Sequence, residues 1–296
     1  KKGLDYFVEN LSKIVFHRDL GDMSSKVERI KLLSSEIYSY SYDEPNSCVA
    51  LAAHFCKADL LSETVTEFPE LQGVIGSYIS TAEGYKKDVS DAIKEHYSPS
   101  GPNDMCPTSP VSVSIALADK IDSLVGFYIA GERSTGSGDP FGLRRSALGI
   151  IRIVIENKLG INLKTLFSLA VNCFIDQGIT IPKENVSDEL EDFVELRLIS
   201  FLRNKGIKHD IISASIPFLK ADNLNTVLAR IDALNSFVSS DGGIDLLGGY
   251  KRASNILSIE ERKDSSSYSS EPSKNFFKSK EEVELYDILG KVSKNI

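Results

Sequence analysis

Apolar residues recur at helical spacing through most of this chain, and each run lies between residues that start or stop helices. The segment 139–160 shows this most clearly. Asp139 is a predicted N-cap, Pro140 follows in the first turn, and Gly160 ends the pattern. Its apolar positions are Leu143, Ala147, Ile151 and Ile155. The spacing predicts an amphipathic helix and not a strand, since a strand would alternate every second residue.

The same signals predict helices in six other segments. Ser25 with Glu28, and Ser279 with Glu282, have the spacing of capping boxes. The six predicted segments are 25–37, 46–61, 187–206, 223–239, 245–257 and 279–289. Their predicted first residues include Asn46 and Ser187. Strand alternation with hairpin turns is almost absent, so the predicted fold class is all-α.

Breaks in the helical pattern divide the chain. The segment 177–186 contains Gly178, Pro182 and Asn185, which predicts a domain boundary between residues 1–180 and 181–296. The loop 98–110 is a predicted crossing between helices. Residues 263–275, which begin KDSSSYSS, cannot bury enough apolar surface to offset their ordering entropy, and we expect them to be flexible.

Composition limits the possible functions. The formal net charge of −8 argues against a protein that coats nucleic acid through a global positive field. The four cysteines have no metal-binding or disulfide spacing, and they are Cys48, Cys56, Cys106 and Cys173. No apolar stretch is long enough for a membrane span and no signal peptide is visible, so we expect a cytoplasmic protein without membrane contact.

Several long segments resemble one family in sequence and in order. They are KADLLSETVTEFPELQGVIGSYIS from Lys57, ALADKIDSLVGFYIAG from Ala116 and TGSGDPFGLRRSALGIIRIVIE from Thr135. Each is similar to the β subunit of bacterial two-subunit glycyl-tRNA synthetases. The run IVFHRDLGDMSSKVERI from Ile14 is similar to the start of that family's HD-like helical domain. VLARIDALNSF and GGYKRASNIL, within 227–257, resemble its DALR-type anticodon-binding domain.

The resemblance implies an HD-like domain over 1–180 and an anticodon-binding helical bundle over 181–296. In that family the α subunit attaches glycine to tRNA-Gly, using ATP with Mg²⁺, and the β subunit grips the tRNA. The family forms a tetramer of two α and two β subunits. The resemblance therefore implies a fragment, truncated at both ends, which has no catalytic residue or cofactor of its own and is inactive alone.

The HD superfamily binds divalent metal through an adjacent His-Asp pair, an earlier His and a later Asp. His17 matches the first ligand, and Asp119 or Asp122 matches the last. At the central position, however, this chain has Lys57 and Asp59 separated by an alanine. Because a lysine ammonium repels a divalent cation, we expect no metal and a buried polar cluster of these residues. Asp119 and Asp122 lie three apart on one helix face, which is also the spacing of a paired-carboxylate catalyst. Metal-dependent phosphohydrolysis, with the metal near His17 and Asp119, remains the alternative function.

Two groups of residues are candidates for tRNA contact. Arg144 and Arg145 follow a glycine-containing turn at a helix N-terminus, where backbone N–H groups and guanidinium groups can hold phosphates. Lys251, Arg252 and Asn255 belong to the anticodon-binding resemblance, and their side chains suit base and backbone contacts. An ordinary surface or core role is the alternative for both arginines.

Two further alternatives stay open. Arg197, Arg203, Lys205 and Lys208 gather around one helix end, where cations also complement the helix dipole without any RNA. The chain could also act only as a helical assembly surface for the α subunit. A hydrolytic triad has no support, because the histidines have no nearby nucleophile in the sequence.

Overall fold

The computed structural model describes residues 3–42, 45–134, 138–181, 185–219, 223–269 and 272–292. Within these ranges the chain is mostly helical and has almost no strand, which confirms the predicted all-α class. The helices are α1 Leu4–Glu9, α2 Met23–Ser41, α3 Ser47–Phe55, α4 Glu63–Glu67, α5 Val74–Ala82, α6 Lys87–Glu95, α7 Pro110–Ile129, α8 Leu143–Glu156, α9 Leu163–Asp176, α10 Val186–Asn204, α11 His209–Ser215, α12 Leu224–Val238, α13 Asp241–Asp264 and α14 Lys280–Val292. Short 3₁₀ helices occupy Leu11–Lys13, Ala58–Leu61, Pro69–Leu71, Ile216–Phe218 and Lys274–Phe276.

Several predicted helix ends are confirmed by their hydrogen bonds. The Asn46 side chain caps α3 by accepting from the backbone N–H of Cys48 at 2.9 Å. Ser279 Oγ accepts from the Glu282 N–H at 3.3 Å, and Glu282 Oε2 accepts from the Ser279 N–H at 2.9 Å, which is the predicted capping box. Gly206 follows α10 with a φ of 83°, as a helix stop requires.

Two predicted caps are wrong. Asp22, not Ser25, caps α2, and its carboxylate accepts the Ser25 N–H at 2.8 Å, so Ser25 lies inside the first turn. Helix α10 begins one residue before Ser187, and its N-cap position is Asn185. In both cases a second polar residue lies within three positions of the predicted cap, and local sequence alone does not decide between them.

The start of α8 is also displaced from its predicted position. Asp139 and Pro140 precede the helix, which begins at Leu143 after Gly142 in the left-handed region with φ 67°. The Asp139 carboxylate still serves the helix end, because it accepts the Arg144 N–H at 3.2 Å. Of the glycines predicted to form a phosphate-holding turn, Gly136 lies outside the described residues.

Helix α7 forms the centre of the larger packing unit. It packs against α2, α3, α6, α8, α9 and α10, and its side chains are buried on all sides. Its sequence is apolar nearly all round, as a fully enclosed helix requires. Its buried charged residues are Asp119, Lys120 and Asp122, so α7 brings charged groups into the core.

A small hairpin was not predicted. Strand β1, Val15–His17, pairs antiparallel with β2, Gly21–Asp22, immediately before α2. Helix α2 then runs along α7, with which it shares a long contact. The hairpin therefore fixes where α2 enters the core. Among the described helices, none combines the length and the apolar character that crossing a bilayer would need.

The chain separates into two compact units, residues 1–235 and 236–296. The first contains the α7-centred core, and α10 packs in it against α7, α8 and α9. The predicted domain boundary at 180/181 falls inside this unit, between α9 and α10, and its Pro182 lies outside the described residues. The assignment of HD-like and anticodon-binding domains stays a prediction.

The second unit contains α13 and α14. Helix α13 runs from residue 241 to 264 and so exceeds its predicted range at both ends. Among the described residues of α13, Gly243 alone is buried. In the following segment, Lys274 Nζ lies 2.9 Å from Asp287, and the rings of Phe277 and Tyr286 are 5.5 Å apart. The predicted flexibility of 263–275 stays a prediction, and 270–271 lie outside the described residues.

Candidate functional site

Two carboxylates of α7 share one buried ammonium group. Lys26 Nζ, from the first turn of α2, lies 3.0 Å from Asp119 Oδ1 and 2.8 Å from Asp122 Oδ2. Their spacing of three residues places both carboxylates on one face of α7, as predicted. All three side chains are at least nine-tenths buried. One lysine thus bridges the two carboxylates that a paired-carboxylate catalyst would need free.

A second cation holds Asp119 from the opposite side. Helix α3 ends at Phe55, earlier than predicted, and Lys57 follows before the 3₁₀ turn that begins at Ala58. Lys57 Nζ lies 2.9 Å from Asp119 Oδ2 and 3.9 Å from the centre of the Tyr97 ring. Both oxygens of the Asp119 carboxylate therefore face an ammonium group.

A guanidinium holds Asp122 in the same way. Arg29 Nε lies 2.5 Å from Asp122 Oδ1, and its Nη2 lies 3.3 Å from Oδ2, so the contact is a two-pronged pair. Arg29 is completely buried and stacks 4.0 Å from the Phe174 ring. We call Lys26, Arg29, Lys57, Asp119 and Asp122 the buried charge cluster.

The electrostatics of the buried charge cluster favour ionised carboxylates. Burial alone would raise the pKa of Asp119, but the ammonium groups of Lys26 and Lys57 hold that pKa well below its usual range. Burial raises the pKa of the nearby Cys56 thiol to about 12, because the charges of Lys57 and Lys26 offset only part of the effect of burial. Asp119 is thus a permanent anion here, while Cys56 is an inert thiol.

Asp59 lies near the buried charge cluster but has different partners. Its Oδ2 accepts the backbone N–H groups of Gly73 at 2.6 Å and Gly76 at 2.9 Å. Burial raises the pKa of Asp59, and these two backbone bonds oppose that rise. Asp59 therefore fixes the start of α5 by accepting its first N–H groups.

The hydrogen bond, ion pair and ring contacts of His17 are with residues outside the buried charge cluster. Its Nε2 lies 3.7 Å from Glu132 Oε1, and its Nδ1 accepts the Asp19 N–H at 3.3 Å. Its ring packs edge-on against Phe127 and Phe141. His17, which matches the first metal ligand of the HD superfamily, therefore contacts the hairpin turn and two aromatic rings.

Two of the three cations, Lys26 and Arg29, were not predicted as site residues. Lys26 and Arg29 lie three apart on the face of α2 that also carries Val27 and Ile30. Charged residues within an apolar stripe are a signal, because burial without a partner would be costly. Their carboxylate partners are more than 90 residues away, so spacing could not identify them.

His96 was also missed. It is completely buried beside Tyr97, and burial, then the charge of Lys57, lowers its pKa well below the usual value. Its Nδ1 lies 2.7 Å from the Ile93 carbonyl oxygen, and its Nε2 has no hydrogen-bond partner in the described structure. His96 is therefore a neutral imidazole.

The described residues contain no group of three or more His, Cys, Asp or Glu side chains placed to hold one metal ion. The geometry of the buried charge cluster explains why its carboxylates do not form a metal site. A divalent cation at Asp119 and Asp122 would have to displace two ammonium groups and a guanidinium, at close like-charge distances. The arrangement is chemically suited to joining α2, α7 and the 57–59 turn.

Comparison with known proteins gives the family. The family model described as "Glycyl-tRNA synthetase beta subunit" matches residues 1–217. The chain belongs to the glycyl-tRNA synthetase β-subunit family. This membership confirms the resemblance inferred from the sequence.

Individual members of the glycyl-tRNA synthetase β-subunit family align over most of this chain. The glycine–tRNA ligase β subunit of Rhodospirillum centenum is 45% identical over 264 residues, which are 88% of this chain and 36% of that protein. The corresponding subunit of Ruegeria sp. is 42% identical over 287 residues, 97% of this chain and 40% of that protein. The chain thus spans about two fifths of the length of these relatives.

In this member of the β-subunit family, the first pair of predicted tRNA-binding residues lies in the first turn of α8. Arg145 is exposed and its guanidinium lies against Gly142, whereas Arg144 is half-buried. Adjacent helical residues point about 100° apart, which explains the difference.

The second group lies on α13, within the 236–296 unit. Lys251 and Arg252 precede Asn255 by four and three residues, so the three share one side of the helix. All three are exposed. The spacing puts Leu246, Tyr250 and Leu257 on another side, and these are also exposed, at 60%, 70% and 44%.

Proposed function

We propose that this chain is the tRNA-binding part of a glycine–tRNA ligase β subunit, and that the chemistry belongs to the α subunit. The observation that carries the proposal is the exposed side of α13, where Lys251, Arg252 and Asn255 stand together. A cation pair beside an amide offers phosphate contacts and base-edge hydrogen bonds on one surface. Family membership supports tRNA as the substrate class.

The buried charge cluster also supports the proposal that the chemistry belongs to the α subunit and not to this chain. Its two carboxylates are each held by two cations, and neither is free to act as a general base or a metal ligand. In the proposed enzyme, ATP and Mg²⁺ act on the α subunit, in an assembly of two α and two β chains. We therefore expect no aminoacylation by this chain alone and place the protein in the cytoplasm.

The test is equilibrium binding of fluorescent tRNA-Gly to the chain at about 50 mM and about 200 mM salt. Phosphate contacts release counterions, so affinity should fall by about tenfold or more between the two conditions. Arg252→Ala should weaken binding at both. Arg18→Ala is the matched control, because Arg18 is an 83% exposed arginine in the hairpin. Absence of measurable binding by the wild-type chain would overturn the proposal.

A second candidate function has one observation in its favour. Leu246, Tyr250 and Leu257 form an exposed apolar stripe on α13, which suits packing against a helix of the α subunit. Co-purification with the α subunit, compared between wild type and Leu246→Asp, separates the roles. Loss of α-subunit capture with unchanged tRNA affinity would assign this stripe to assembly.

A further inference from the structure

A cleft of about 430 Å³ lies between α8 and α10, beside the loop at Pro102. Four of the described residues that line it are cations, and none is acidic. The cations are Arg144, Arg152, Arg197 and Lys205. The whole chain has a net charge of −8, so this concentration of positive charge is a local feature and does not follow from composition.

Helical spacing explains how the cleft forms. Arg144 and Arg152 lie eight residues apart on α8, which is close to two full turns, so both face the same side. Arg197 on α10 and Lys205 at the C-cap of that helix are separated by the same interval. The two helices pack against each other, and their basic sides line the gap that remains.

Arg152 is a fixed charge in the wall of the cleft. Its guanidinium donates to the carbonyl oxygens of Gly101 at 3.2 Å, Pro102 at 3.0 Å and Asp104 at 2.7 Å. Its Nε donates to Glu156 at 2.9 Å. These bonds occupy four of the five N–H donors of Arg152, and Glu156 offsets part of its charge, so Arg152 holds the loop in place and adds only part of a positive charge to the cleft.

Arg197 and Lys205 are held mainly by aromatic contacts, unlike Arg152. The Nε of Arg197 is buried and donates to no acceptor in the described part of the chain, and its guanidinium lies 5.7 Å from the Phe193 ring. Lys205 Nζ lies 4.6 Å from the Phe201 ring. These aromatic contacts orient the cations and leave hydrogen-bond donors available for an acceptor.

The helix dipole explains only part of this arrangement. Lys205 is the C-cap of α10, where a cation is favourable without any ligand. Arg197 lies two turns earlier and gains little from that effect, which falls off within the last turn. Nor is the N-terminus of α8 open, because Asp139 already accepts the Arg144 N–H. The cleft therefore needs an explanation based on its side chains.

We propose that this cleft binds a phosphate group of the tRNA backbone, with Arg197 and Lys205 as its ligands and Arg152 as a fixed supporting charge. Guanidinium groups match phosphate oxygens in geometry, and an ammonium adds a further donor. The proposal rests on the proposed tRNA-binding function and assigns it a second contact, in the 1–235 unit. Such a contact positions the RNA and reads no base.

The test places a carboxylate in the cleft without removing a cation. Ser200 is an exposed lining residue on α10, and Ser35 is an exposed serine on α2, far along the chain from the cleft. Ser200→Glu and Ser35→Glu therefore make the same chemical change in two helices. We expect Ser200→Glu to lower tRNA-Gly affinity by about tenfold at low salt, and Ser35→Glu to leave it within about twofold.

Lys205→Gln supplies a second measurement, because Lys205 is exposed and its removal does not threaten folding. The slope of log affinity against log salt should become shallower by about one. A non-cognate tRNA should be weakened by the same factor as tRNA-Gly, since a phosphate contact carries no sequence information.

The outcomes are distinct. Wild-type binding with unchanged affinity in both Ser200→Glu and Lys205→Gln would overturn the cleft proposal and leave the proposed function standing. A loss confined to tRNA-Gly would also overturn it, because that result indicates base reading. No binding by the wild-type chain would remove the proposed function itself.

Discussion

The Lys57 ammonium lies 2.9 Å from Asp119 Oδ2, in the place where the HD resemblance would need a metal ligand. Lys26 holds the other oxygen of the same carboxylate at 3.0 Å. A buried carboxylate paired in this way is stable only while its cations are present, because a lone buried charge is strongly unfavourable. The presence of Lys57 in place of a metal ligand therefore contributes to the stability of the core.

Replacing Lys57 with methionine should destabilise the fold. The apolar stem would be kept while Asp119 loses one of its two cations, and we expect a cost of about 2–4 kcal/mol in the free energy of unfolding. Urea unfolding followed by circular dichroism measures it. Lys87→Met is the control, because Lys87 pairs with Asp91 at the exposed surface and its loss should change little. Equal midpoints for the two variants would contradict the structural role of Lys57.

The stability of the wild type should fall in acid through Asp119. Since the folded-state pKa of Asp119 lies below its ordinary value of 3.8, the unfolded chain takes up the proton first. The stabilisation is therefore present above about pH 4 and is lost as the pH decreases below it. Unfolding free energies of wild type and Asp119→Asn, measured from pH 6 to pH 2, should converge in that window, and a constant difference would refute the assignment.

Lys120 should change the stability of the fold at alkaline pH. Burial lowers the pKa of Lys120 from 10.5 to about 8, although Nζ still donates to the Tyr97 carbonyl oxygen at 2.9 Å. Below pH 8 the folded state bears the cost of a buried charge, and that cost is relieved as the pH rises from 8 to 10.5. Relative to Lys120→Met, the wild type should gain up to about 3 kcal/mol across this window. A pH-independent difference would show that Lys120 keeps an ordinary pKa.

Gly76 should not tolerate a side chain. A Cβ there would lie 2.8 Å from Ile93 Cγ2 and 3.2 Å from the Asp59 carboxylate, which Gly76 itself hydrogen-bonds. Gly76→Ala should cost about 1–3 kcal/mol by overpacking, measured by thermal unfolding. Gly248 is the control, since its position in α13 has open space around it and alanine is the better helix former. A Gly76→Ala melting temperature at or above wild type would contradict the packing argument.

Local sequence signals predicted the fold class and several helix ends. The capping box of Ser279 and Glu282 is correct because both partners lie within one turn. The start of α8 was displaced because Gly142 adopts a left-handed conformation that moves the helix away from Asp139. The wrong caps of α2 and α10 have another cause, because a second polar residue lies near each predicted cap.

Long-range pairing limited the prediction of the site. Lys57 and Asp119 were expected in one buried polar cluster, and the structure pairs them. The same expectation placed Asp59 and His17 there, yet Asp59 binds backbone N–H groups and His17 lies beside Glu132. Lys26 was missed altogether, since no spacing rule relates α2 to a carboxylate 96 residues later. Tertiary packing decides such pairs.

The divalent-metal content of the purified chain tests the central claim most directly, namely that cations of the chain itself occupy the buried carboxylates. The chain would be incubated with excess Mn²⁺ or Zn²⁺, dialysed, and analysed by mass spectrometry for bound metal, with Asp119→Asn in parallel. We predict far less than one ion per chain and no difference between the two proteins. One ion per wild-type chain that is lost in Asp119→Asn would contradict the account and favour a metal-dependent phosphohydrolase.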